Sequence, residues 1–101
     1  MMIELSVVPL GKGASVSAVI ARVMKLIIDS GIPYKANPMG TVIEGDWAPV
    51  MELVRRCHEA AMQDADRVVT TVKIDDYRDR GPRLGTKLES VEAKLGMRLN
   101  R

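Results

Sequence analysis

From Met2 to Leu10 the chain alternates, with Ile3, Leu5 and Val7 on one side and Glu4, Ser6 and Val8 on the other. A period of two with β-branched residues predicts a strand with one buried face. Pro9 and Gly11-Lys12-Gly13 break it, and the period then changes. Val16, Val19, Ile20, Val23 and Ile27 fall on one helical stripe, with Ser15 or Ser17 as N-cap and Gly31 as the stop. The extended run PYKANPM, from Pro33, is followed after one turn by TVIEG, and the two predict a hairpin. Asp46 is placed to cap a helix from Trp47, and Pro49 fits the first turn, where N–H groups have no helical partner. On that helix Val50, Val54, Cys57 and Ala61 share a face, with Met51 and His58 at its margin. Arg67–Asp75 reads as a fourth strand, and DDYRDRGPRLG as turn and loop. Residues 86–96 form a final short helix with Leu88, Val91 and Leu95 on one side.

The order β-α-β-β-α-β-α has few compact solutions. Two β-α-β crossovers joined through a hairpin give an α+β fold, the ferredoxin-like split arrangement, with an additional C-terminal helix. Residues 1–101 are expected to make a single domain. Both crossover helices cover one side of the sheet and leave the other side bare, so function is expected there.

Composition narrows the picture. The chain has no Phe, one Trp and two Tyr, so its core must be aliphatic and rich in methionine. A core this thin favours self-association, and a homodimer or homotetramer is expected. Nine basic and five acidic residues lie in 67–101, against six and eight in 1–66. Because acids interrupt that basic stretch and stacking aromatics are scarce, no nucleic-acid partner is expected. Cys57 stands alone, which excludes an intramolecular disulfide and a cysteine-based zinc site. The start MMIELSVVPL lacks a basic region and a long apolar run, and the Val16–Ile28 helix is interrupted by Arg22 and Lys25. No signal peptide and no membrane partner are expected, and the expected location is the cytoplasm.

Several polar groups carry possible chemistry. Glu4 and Ser6 can accept and donate hydrogen bonds to a small heterocycle, or simply line a solvated sheet face. Gly11-Lys12-Gly13-Ala14-Ser15 precedes a helix and can hold an anion on its N–H groups, but its glycines fit neither phosphate-loop nor dinucleotide spacing. His58 is the only imidazole, and no Ser or Cys nucleophile stands with it in a known motif. Trp47 is a packing residue or a flat platform for an aromatic or cationic ligand, and Tyr34 can serve the same way.

The segments SVVPLG (6–11), SVSAVIARV (15–23), SGIPYKANPMGTVIEGDW (30–47), VKIDD (72–76) and KLESVEAKLG (87–96) together resemble the small thiamine-binding protein family. The likeness covers nearly the whole chain, is most specific at PMGT-x-IEG and is weakest over residues 77–85. It implies a ferredoxin-like fold assembled by sheet contacts into dimers or tetramers. It also implies non-catalytic binding of thiamine or its hydroxymethylpyrimidine moiety. The resemblance places Glu4, Ser6, Asn37, Thr41 and Glu44 opposite the donors and acceptors of an aminopyrimidine, with Met39 inside the shared segment. A thiazolium is a permanent cation, suited to the faces of Tyr34 or Trp47 and to the carboxylate of Asp75.

The leading expectation is thus a small-molecule carrier, sensor or salvage partner, with no catalytic residue, metal or cofactor. The alternative is a structural or regulatory oligomer that docks another protein through its sheet face. An enzyme ranks third, since fold alone does not settle function.

Overall fold

A computed structural model describes residues 1–11, 15–79 and 81–101. The centre of the expected anion loop, Lys12, Gly13 and Ala14, lies outside the described residues, as does Arg80 in the later loop.

The elements run β1 (Met2–Leu10), α1 (Val16–Ser30), β2 (Tyr34–Asn37), β3 (Gly40–Glu44), α2 (Trp47–Met62), β4 (Arg67–Asp75) and α3 (Lys87–Leu95). All strand pairs are antiparallel, in the order β2-β3-β1-β4. This is the α+β ferredoxin-like arrangement expected from the element order, extended by a C-terminal helix.

Alternation alone left open which strand face the helices cover, and burial settles it. Ile3, Leu5 and Val7 of β1 are buried with Ile43 of β3 beneath Val19, Val23 and Ile27 of α1 and Val50, Leu53, Val54, Cys57 and Ala61 of α2. The register carries that assignment sideways. Ile3 pairs with Ile43 and Ile74, so Val72 and Thr70 also face the helices, while Lys73 and Asp75 share the opposite face with Glu4.

Local chemistry fixes the helix ends. Ser15, not Ser17, caps α1 by accepting from the Ala18 N–H, and Gly31 ends it at φ 73°, a left-handed conformation that costs glycine little. Asp46 occupies the N-cap position of α2 in extended backbone, but its side chain makes no capping bond. Trp47 is 57% exposed, so the packing role open to it from sequence is not realised within one chain. Val16 and Ile20, placed on the apolar stripe of α1, are also exposed, whereas Val19, Val23 and Ile27 are the residues of α1 that are buried. No helix among the described residues is long and apolar enough to cross a membrane.

Candidate functional site on the open sheet face

The face without α1 and α2 is read in rows across the strands. Lys35, Val42, Glu4 and Lys73 form one row across β2, β3, β1 and β4. Met2, between Glu44 and Asp75, belongs to the next. Gly40 matters to this surface because a Cβ there would meet the Leu5 carbonyl oxygen at 3.0 Å and Glu4 Cγ at 3.4 Å. Its missing side chain lets β3 lie tight against β1 and leaves space beside Glu4.

The face is not wholly bare, since the loop after β4 and the start of α3 fold over one end. Glu44 draws them in: its carboxylate accepts from the Arg83 N–H at 2.6 Å and the Leu84 N–H at 3.0 Å. Asp75 adds ion pairs to Arg83 at 2.7 Å and Lys87 at 2.8 Å. Hydrogen bonds from Lys87 and then Arg83 hold the Asp75 carboxyl below its usual range. Arg83 also lies over the Tyr77 ring, 5.3 Å from its centre. Glu92 fastens the chain end back on α3 by accepting from the Leu99 N–H and Arg101.

Between sheet and roof lies a cavity of about 370 Å3. Met2, Glu4, Lys35, Asn37, Val42, Lys73 and Asp75 contribute from the strands, and Leu84, Lys87, Leu88 and Arg101 from the roof. The Glu4 side chain takes part in no hydrogen bond or ion pair among the described residues, so its carboxylate is available to a ligand. An apolar floor with a few polar groups at its edge suits a flat heterocycle.

The residues singled out from sequence are divided by the fold. Glu4, Asn37 and Asp75 line this cavity. Ser6, Met39 and Thr41 line a second one, about 360 Å3, between the hairpin tip and α1, and Asn37 touches both. Thr41 is buried on the helix side, where its hydroxyl donates to Met24 Sδ at 3.4 Å. Asn37 Oδ1 accepts from the Met39 N–H at 3.1 Å, so half of that side chain shapes the turn. Tyr34 lines a shallow groove with the C-terminal residues, Glu44 is engaged by the roof, and Trp47 lines none of these three spaces. The crowding of polar residues around NPMGT therefore serves hairpin shape and core contacts as well as a pocket edge.

Lys35 and Lys73 line the cavity without having been singled out. Alternation put Lys73 in register with Glu4's face, and that signal was there to use. The roof residues Leu84 and Leu88 had no such signal.

His58 lies on the helix side of the sheet, where Nδ1 is 2.6 Å from Thr70 Oγ1, so the imidazole is turned away from the cavity. Cys57 is fully buried, and desolvation pushes its thiol up to about 11. Among the described residues no group of His, Cys, Asp and Glu has an arrangement that holds a metal ion.

The fold is ferredoxin-like, with a cavity on its open sheet face. The chain belongs to the thiamine-binding protein family, whose model matches residues 3–92. A UPF0045 protein of Methanothermobacter thermautotrophicus is 41% identical over 95 residues, spanning 91% of this chain and 96% of its own. The solved structure of hypothetical protein MJ1052 from Methanocaldococcus jannaschii superposes with a TM-score of 0.82 at 34% identity, covering 89% of this chain and 93% of that one. A Thermotoga maritima structure, described as a candidate thiamine biosynthesis or salvage protein, gives 0.76 at 27% identity over 89% and 96%.

Proposed function

We propose that the chain binds thiamine or its hydroxymethylpyrimidine moiety without transforming it, as a carrier, sensor or salvage partner, in the cavity on the open sheet face. The observation that carries this reading is Glu4, whose carboxylate has no hydrogen-bond or ion-pair partner among the described residues and lies beside the apolar surface of Val42. An aminopyrimidine laid over Val42 and under Leu84 and Leu88 offers its N–H donors to Glu4 and its ring nitrogens to the Asn37 amide. Membership of the thiamine-binding family and the salvage role suggested for the Thermotoga protein agree with such a ligand.

Assembly into a homodimer or homotetramer belongs to the same proposal. Leu88, Val91 and Leu95 of α3 are all more than 40% exposed, and β4 presents a nine-residue edge free of proline. Apolar stripes and long edges of this kind are normally covered by another chain. The same exposed stripe is the feature that favours the second reading, docking of a different protein.

Isothermal titration with hydroxymethylpyrimidine tests the ligand. Glu4→Gln should weaken binding by about 1.5–3 kcal/mol, the range for a hydrogen bond to a charged group. Thr41→Val, which alters only the helix side, should leave affinity unchanged. Loss of binding in Thr41→Val with retention in Glu4→Gln would move the site to the second cavity.

A further inference from the structure

The charge around the open-face cavity specifies more than an aminopyrimidine. Four cationic side chains, Lys35, Lys73, Lys87 and Arg101, surround it against two carboxylates, Glu4 and Asp75. Asp75 is already paired with Lys87 and Arg83, and Arg101 with Glu92. Lys35 and Lys73 have no hydrogen-bond or ion-pair partner among the described residues. Glu4 therefore stands in one row with two unpaired ammonium groups, one on each flank.

Spacing gives this row a polarity. Lys35 is two strands from Glu4, and two strand spacings amount to roughly 9–10 Å between backbones. Val42 supplies the apolar step between them. Lys73 lies on the other side of Glu4, directly across from it on β4. A flexible lysine stem shortens the first gap by several ångströms, so a ring over Val42 can meet Glu4 at one end and an ammonium at the other. Free thiamine carries a permanent positive charge and satisfies neither lysine. A phosphate at the ring's far end satisfies Lys35, because lysine binds it as a point charge.

We infer that the cavity takes an aminopyrimidine carrying a phosphomonoester, with Glu4 on the ring and Lys35 on the phosphate. The inference rests on the open-face binding reading given above and names the ligand class for it. Hydroxymethylpyrimidine monophosphate and thiamine monophosphate share this chemistry, and they differ in whether the cationic thiazolium stands between ring and phosphate.

Calorimetric titrations of the full chain with hydroxymethylpyrimidine, its monophosphate, thiamine, thiamine monophosphate and inorganic phosphate decide the matter. The pyrimidine monophosphate should bind at least about tenfold more tightly than the unphosphorylated pyrimidine. That advantage should shrink between about 0.05 and 0.3 M salt, as screening predicts for exposed charges. In Lys35→Gln the ratio of the two affinities should fall to about one. Thiamine monophosphate outbinding the pyrimidine monophosphate would keep the phosphate site and identify the whole vitamin as the source. Equal affinity for phosphorylated and free pyrimidine would overturn the inference and leave the binding reading standing. If neither pyrimidine binds, both fall. Inorganic phosphate binding as tightly as the pyrimidine monophosphate would overturn it too, since no ring would then be recognised.

Discussion

Glu44 shows how a residue in the most specific part of the family resemblance can do something other than touch a ligand. Both of its oxygens accept from backbone N–H groups of the loop before α3. Glu44→Ala strips these part-buried donors of their acceptor and should lower unfolding stability by about 1–3 kcal/mol, read from denaturant midpoints. Unchanged stability together with abolished pyrimidine binding would instead return Glu44 to the ligand. Thr41 and Asn37 follow the same pattern, with side chains partly committed to Met24 and to the hairpin turn. Such commitments were illegible in sequence because each partner lies on another element or depends on a turn's geometry. Glu4's place on the polar face of β1 was legible from alternation, while burial showed that this is the face α1 and α2 leave open.

Among the elements, β1 and β4 emerged at the boundaries that alternation gave, Met2–Leu10 and Arg67–Asp75, because a half-buried strand writes its period into the chain. The position of α3 was not written there. Its docking depends on two carboxylates capturing a loop 39 and 40 residues from Glu44 in sequence, a relation with no periodic signature. The Asp75 tether also gives α3 a pH response of definite sign. The folded-state pKa of Asp75 lies below the ordinary 3.8, so its ion pairs stabilise the docked roof above that value. The stabilisation is lost as pH falls through the lower folded-state pKa. Amide protection in α3 and its preceding loop, taken relative to intrinsic exchange, should be unaffected by the tether between pH 8 and 5 and should fall selectively below about pH 4. Selective loss of protection already at pH 6, where Asp75 remains ionised, would show that a group other than these carboxylates controls the roof.

At the scale of the molecule, the helix-covered side is closed and the open side is not. Thirteen hydrophobic residues are buried, yet Trp47, Tyr34, Leu88, Val91 and Leu95 remain at least one-third exposed. The aliphatic composition pointed to a thin core, and the exposed helix stripe and long β4 edge give that expectation a location. Light scattering at micromolar concentration should find a dimer or tetramer, and Leu88→Glu with Val91→Glu should shift it toward monomer. A wild-type protein that stays monomeric would remove self-association from the account. The fold could be read from element order because few topologies accommodate two crossovers and a hairpin. The cavity could be read only in part, since its floor comes from strand register but its roof from long-range capture.

Backbone NMR during titration with hydroxymethylpyrimidine tests most directly where the ligand lodges. Shifts should concentrate on Lys35, Val42, Glu4 and Lys73, with smaller changes at Leu84 and Leu88. Shifts confined to Thr41, Met24 and Met39, or no shifts at saturating ligand, would contradict a site on the uncovered sheet.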